Sequence, residues 1–123
     1  MRNLALIFVV FTAFSCRKSL LHERWISNGS DDTVYVWNPD FEDTTYIIAP
    51  SQKAMIYSYE VLDKDQPSEV CAWMGDTLYI ENAKDSTCEK SVSLEGNWFS
   101  NVTMREKKER KQVCTFTVYN SDF

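Results

Sequence analysis

From Thr33 to Tyr119 the chain sets β-branched and aromatic residues in runs of strand length, each stopped by a cluster of turn formers, and sustains no 3.6-residue apolar period. That pattern confines it to an all-β fold. The last run is the clearest: Cys114, Phe116 and Val118 alternate with Val113, Thr115, Thr117 and Tyr119, the two-residue period of a strand with unlike faces. Upstream, Asn28-Gly29-Ser30-Asp31-Asp32 is a turn, residues 33–37 a strand ended by Asn38-Pro39-Asp40, and residues 45–48 another. Residues 54–62 read as a strand with Met55, Tyr57, Tyr59 and Val61 on one face and Ser58 and Glu60 on the other. Residues 70–74 and 77–81 around Gly75-Asp76 read as a tight hairpin. Residues 88–94 are a weaker strand candidate, and residues 98–104 leave the choice open. With about seven to eight short strands, a single antiparallel β-sandwich, immunoglobulin-like or similar, is expected.

The N-terminus has a different grammar. Arg2 precedes an apolar stretch over residues 4–14, too short to cross a bilayer and of the length of a signal-peptide core. Ala13-Phe14-Ser15 then leads into Cys16. Two cleavages fit. A small residue before a cysteine resembles a bacterial lipoprotein signal, in which that cysteine is acylated and becomes the mature N-terminus. Ala13-x-Ser15 also satisfies the small-x-small rule of an ordinary secretory signal. The lipoprotein reading is preferred because a cysteine seldom falls at this position by accident, although Ala13 stands where leucine is usual. The expected organisation is a signal peptide over residues 1–15, a lipid-anchored tether over 16–24 and a β-sandwich domain over 25–123.

Removal of fifteen residues leaves 108 with 12 basic and 18 acidic side chains, a net charge of −6. A chain of that length forms one small domain, and that acidity argues against nucleic acid and against electrostatic adhesion to anionic lipid. Membrane contact is therefore assigned to the lipid on Cys16. An exported domain of this size gains from a disulfide. Lipidation of Cys16 leaves Cys71, Cys88 and Cys114 for one bridge and one thiol; plain secretion leaves four cysteines for two bridges. Cys114 is expected to pair with Cys71 or Cys88, the partner being open. No CxxC pair is present and His22 is the one histidine, placed in the expected tether, so neither a metal site nor a cofactor is expected.

Other constellations have bland readings that outweigh the sharp ones. Trp25, Trp37, Trp73 and Trp98 would make a sugar-binding platform if exposed, but their positions in or beside strands favour the core. Asp31, Asp32, Asp40, Glu42 and Asp43 are acidic enough for calcium and lack the EF-hand spacing. Ser-His and Cys-His chemistry would need its base from the tether. The run from Arg105 to Lys111 carries Arg105, Lys107, Lys108, Arg110 and Lys111 against Glu106 and Glu109. It is a candidate interaction patch for an anionic partner, with a solvated turn that protects the flanking strands as the bland reading. Asn28-Gly29-Ser30 and Asn101-Val102-Thr103 match the N-glycosylation acceptor. Asp32-Thr33-Val34, Asp43-Thr44-Thr45, Asp76-Thr77-Leu78 and Asp85-Ser86-Thr87 resemble the Asp-Thr/Ser acceptor for O-glycosylation of exported Bacteroidetes proteins.

Phe14-Ser15-Cys16-Arg17-Lys18, the stretch from Ser30 to Val36 and the closing stretch from Thr115 to Phe123 resemble the small lipoproteins of Bacteroidetes over about a quarter of the chain. The resemblance implies an outer-membrane-associated β-rich domain and carries no site residue across. Surface-exported lipoproteins of such bacteria tend to have acidic residues after the cysteine; Arg17-Lys18-Ser19 departs from this, which implies a periplasm-facing position. The expected function is non-catalytic: an exported, envelope-associated binding module whose partner is an envelope protein or glycan, held by strand addition at a sheet edge. The alternatives are a glycan-binding or glycan-processing accessory protein, and a secreted disulfide-linked binding protein with no lipid.

Overall fold

A computed structural model describes residues 18–39, 44–62, 68–73, 78–106 and 109–123, the last two residues of the 78–106 segment by backbone alone. Seven strands occur among them: β1 Ser19–Asn28, β2 Val34–Trp37, β3 Thr45–Ile48, β4 Lys53–Leu62, β5 Tyr79–Asn82, β6 Trp98–Glu106 and β7 Glu109–Val118. They form two sheets, ordered β4-β1-β7-β6 and β3-β2-β5. The all-β expectation holds.

β1 and β7 lie at the centre of the first sheet and run parallel from Ser19↔Glu109 to Asn28↔Val118, whereas every other pairing is antiparallel. The expected purely antiparallel architecture is corrected here. Its reason is that the first and last strands of the domain pair with each other, and no hairpin can join partners so far apart in sequence.

The expected tether over residues 16–24 is also corrected. β1 begins at Ser19, with Leu20 and His22 already buried. Alternation puts Leu20, His22, Arg24, Ile26 and Asn28 on one face, and three of these five are charged or polar. A hydrophobic period cannot announce such a strand. Residues 1–17, including Cys16, lie outside the described residues.

β7 keeps its expected alternation, with Gln112, Cys114, Phe116 and Val118 facing inward. β4 does not. Arg24 pairs with Tyr57 and Trp25 with Met55, so Ile56 is an extra residue in a bulge. Ile56 and Tyr57 thereby follow one another without the usual change of side, and Met55 leaves the face assigned to it and stands exposed beside Trp25. The core draws on all seven strands: Ile26, Val34, Val36, Ile48, Ile56, Ile80, Trp98, Cys114, Phe116 and Val118, with Cys71 and Ala72 added from a connecting segment.

Two further strand expectations fail. Residues 70–73 form no strand, and Gly75-Asp76 of the expected hairpin lies outside the described residues. Residues 88–94 are turn and irregular structure, tied to β5 by the Cys88 N–H donating to the Ile80 carbonyl at 2.8 Å. Residues 98–104, by contrast, are strand β6.

Asn28 closes the end of β1. Its amide nitrogen donates to the carbonyls of Asp32 and Ile48 at 2.8 and 2.9 Å, and its side-chain oxygen accepts from the Ser30 N–H and hydroxyl. The side chain is fully buried, so the first glycosylation acceptor is occupied by the fold, whereas Asn101 is exposed on β6. At Gly29 next to it a Cβ would stand 2.9 Å from the Tyr119 ring and 3.2 Å from the Val118 carbonyl, so a side chain there would have to displace that ring. Replacing Asn28 by Ala removes a donor from the Asp32 and Ile48 carbonyls and the acceptor of the Ser30 N–H, the Ser30 hydroxyl keeping the Asp32 carbonyl as partner at 3.1 Å, and is expected to cost about 3 kcal/mol in urea unfolding. Asn101→Ala, at an exposed strand position, is expected to cost no more than about 0.5 kcal/mol.

Candidate functional site

The two faces worth testing for function are the polar inner surface of the first sheet and the outer surface of the second. On the first, residues 69–73 cross β1 and β7 as a strap whose backbone partners are mainly side chains. The Gln112 amide pairs with the peptide of Glu69, accepting from its N–H and donating to its carbonyl, both at 2.8 Å. Arg24 donates from Nε to the Cys71 carbonyl at 2.7 Å and from Nη2 to the Val70 carbonyl at 3.0 Å. On the other edge the Glu95 carboxylate accepts from the N–H groups of Cys71 and Ala72 at 3.0 and 2.7 Å. The Cys71–Cys114 disulfide then fixes the strap to β7, settling which cysteine partners Cys114. Cys88 is a free, half-buried thiol whose pKa is raised by burial.

His22 sits against this cluster and is fully buried. Because the Gln112 oxygen already accepts from Glu69, the 2.8 Å contact to His22 Nδ1 requires the imidazole to donate there. Nε2 is left facing the Cys114 sulfur at 3.8 Å, and the ring lies 4.7 Å from the Tyr59 ring. Burial, the largest influence, lowers the His22 pKa below 6.5. The expectation that His22 lies in a tether is thus overturned. It stands beside a cysteine, but that sulfur is bonded and both side chains are buried, so the pair organises the interior and meets no substrate in this state.

Arg24 also carries an aromatic surround. Its guanidinium lies 5.7 to 5.8 Å from the ring centres of Tyr57, Tyr59 and Trp73, within cation–π range. Among the described residues no buried side-chain nitrogen or oxygen lacks a hydrogen-bond partner, which is the condition for so polar an interior to be stable.

The outer face of the second sheet is built differently. Val34 and Val36 of β2 and Ile80 of β5 face the core, so alternation turns Tyr35, Trp37, Tyr79 and Glu81 outward. The register aligns Thr45, Trp37 and Tyr79 in one row and Ile47, Tyr35 and Glu81 in the next. Trp37 and Tyr79 stack at 5.4 Å with 21° between their planes. Ile47 is 68 % exposed and Tyr79 39 %. An apolar, aromatic surface with a carboxylate and a hydroxyl at its margins therefore faces solvent.

The other sequence-derived candidates are dispersed. Trp98 is a core residue, packed 5.3 Å from the Phe116 ring, whereas Trp25, Trp37 and Trp73 are half-buried. Asp31 is engaged by Asn120 at 2.9 Å and Asp32 by Lys84 at 3.4 Å, while Asp40, Glu42 and Asp43 lie outside the described residues. No group of metal-ligating side chains occurs among the described residues. Of the basic run, Arg110 and Lys111 begin β7, Arg105 lies in β6 with only its backbone described, and Lys107 and Lys108 are outside the described residues. Lys111 pairs with the buried Glu23 at 3.4 Å. No family model, curated protein or solved structure matches the chain.

The pH dependence follows from His22. The folded state resists a proton that the unfolded chain accepts below about pH 6.5, so this contribution is full above that value and is lost as pH falls toward the lowered folded pKa. Chemical unfolding between pH 7.5 and 5.5 is expected to show stability falling below pH 6.5 by up to about 1.4 kcal/mol per pH unit. A His22→Asn chain is expected to lack that slope.

Proposed function

We propose that this chain is an exported, lipid-anchored, non-catalytic binding module of the cell envelope, and that it binds through the outer face of its three-stranded sheet. The observation that carries the reading is the Trp37–Tyr79 stack, with Tyr79 exposed and Trp37 half-buried, flanked in register by Tyr35, Ile47, Thr45 and Glu81. Solvent-facing aromatic surface in a small domain marks an interaction site. The near-parallel, stacked rings offer aromatic surface to a ligand with an apolar face and a polar rim, which is the chemistry of a pyranose in a glycan; Glu81 and Thr45 would take its hydroxyls.

The two sheets, sharing one core, are read as the layers of a sandwich of immunoglobulin-like type. Lipidation at Cys16 and a periplasm-facing outer-membrane location complete the proposal, in keeping with the resemblance to Bacteroidetes lipoproteins. Support for the anchor comes from the apolar stretch over residues 4–14 and from Ser15-Cys16 directly behind it.

The test uses the mature protein from its membrane, whose intact mass is expected to exceed that of the unmodified chain by the acyl groups on Cys16. Titration with a panel of defined oligosaccharides, followed by tryptophan fluorescence, is expected to identify a binder. Trp37→Ala is expected to weaken it at least about tenfold, the worth of one aromatic stacking contact, without shifting the thermal midpoint by more than a few degrees. A panel without a binder, or a variant that binds as well as the parent, would remove the glycan reading.

A further inference from the structure

We propose that the rim of the first sheet where β1 begins is a membrane-apposed surface, formed by Lys18, Leu62, Met104, Arg110 and Lys111, which seats the domain on phospholipid headgroups in one fixed orientation. The inference rests on the lipid-anchor reading of Cys16.

Three chain steps separate Cys16 from Ser19, the first residue of β1. At no more than about 3.6 Å per residue they span at most about 11 Å, only a few ångströms beyond the roughly 5–8 Å headgroup layer of one leaflet. A domain tied so closely cannot tumble above the bilayer. The end of the sheet that holds Ser19 must lie against it.

Register identifies what else is at that end. Ser19 pairs with Leu62 on one side and Glu109 on the other, Leu20 with Arg110, Leu21 with Glu60 and Lys111, and Met104 with Arg110. Leu62 is 53 % exposed and Met104 59 %, apolar side chains at the two edges of the sheet, Met104 beside the cationic Arg110 and Leu62 beside Ser19, which follows Lys18. That mixture suits an interface in which apolar groups enter among the headgroups and cations meet the phosphates.

Charge is the decisive quantity, because the net −6 of the mature chain predicts repulsion from anionic lipid. Screening reverses that conclusion. At physiological salt a charge acts over about 8 Å, and the ten residues of β1 extend about 30 Å. Asp31, Asp32 and Asp122 lie past the far end of the central strands, several screening lengths from the bilayer. Among the described residues at the near rim, Lys18, Arg110 and Lys111 stand with Glu60, Glu109 and the Glu23 that pairs with Lys111, so these charges balance and leave no net repulsion of their own.

Hydroxyl-radical footprinting of the acylated chain on vesicles of phosphatidylcholine with 30 mol % (about one lipid in three) phosphatidylglycerol tests the proposal, with the Cys16→Ser chain and the same vesicles as the unanchored reference. Met55, 39 % exposed and seven residues from Leu62 along β4, is the internal control. The expected result is oxidation of Met104 at least about fivefold slower than in the reference, the protection expected of a side chain buried in the interface, with Met55 unchanged. If the acylated chain sediments with the vesicles and Met104 reacts as in the reference, the proposed surface is wrong and the anchor stands. If intact mass shows no acyl group and the chain stays in solution, the anchor reading fails and takes this proposal with it.

Discussion

Arg24 and Glu95 grip opposite edges of the same few peptides, and the rest of the interior is arranged to let them. Their contacts fall on residues 70–72 from the carbonyl side and the N–H side, with the disulfide to Cys114 at the middle. A buried connecting segment would ordinarily leave peptide groups unpaired at a cost of about 1–3 kcal/mol each. Here side chains take the place of a neighbouring strand, and Gln112 completes the set at Glu69. Charge-assisted hydrogen bonds are stronger than neutral ones, so a few residues suffice. Cys71 and Ala72 are thereby delivered into the core beside Phe116 and Val118.

This arrangement explains which parts of the fold could be read in advance. β7 carries alternation in the residue types themselves, so its existence and its two faces were legible, and β2 was legible as a strand. β1 was not, because His22, Arg24 and Asn28 occupy inward positions and their partners lie up to ninety residues away, as with His22 and Gln112. Residues 70–73 misled for the complementary reason: their composition suits a strand, yet side chains satisfy their backbone. The bulge at Ile56 is likewise a property of the pairing with β1, and no local signal marks it. Of the candidate site, the strand that carries Tyr35 and Trp37 was legible; that these two residues share the solvent-side face required the register with β3 and β5.

The fold separates three roles by position. The inner side of the first sheet holds a satisfied polar cluster that stabilises and specifies the structure. The outer side of the second sheet leaves aromatic rings toward solvent, where a ligand can reach them. In the proposed anchored state, the rim at Ser19 would receive the chain from a lipidated Cys16 and set which way the other surfaces point. Net charge, a whole-chain quantity, is no guide to that proposed contact, because only charges within a screening length of a bilayer act on it.

The claim that side chains stand in for a strand along the strap is tested most directly by hydrogen exchange at two amides. Cys71 and Ala72 donate to Glu95, so their protection should depend on that carboxylate. In a Glu95→Ala chain, the account predicts that these amides exchange at least about tenfold faster, beyond any acceleration shared by the Phe116 and Val118 amides of β7, as local opening would require. Equal acceleration at all four amides, or unchanged protection at Cys71 and Ala72, would contradict it.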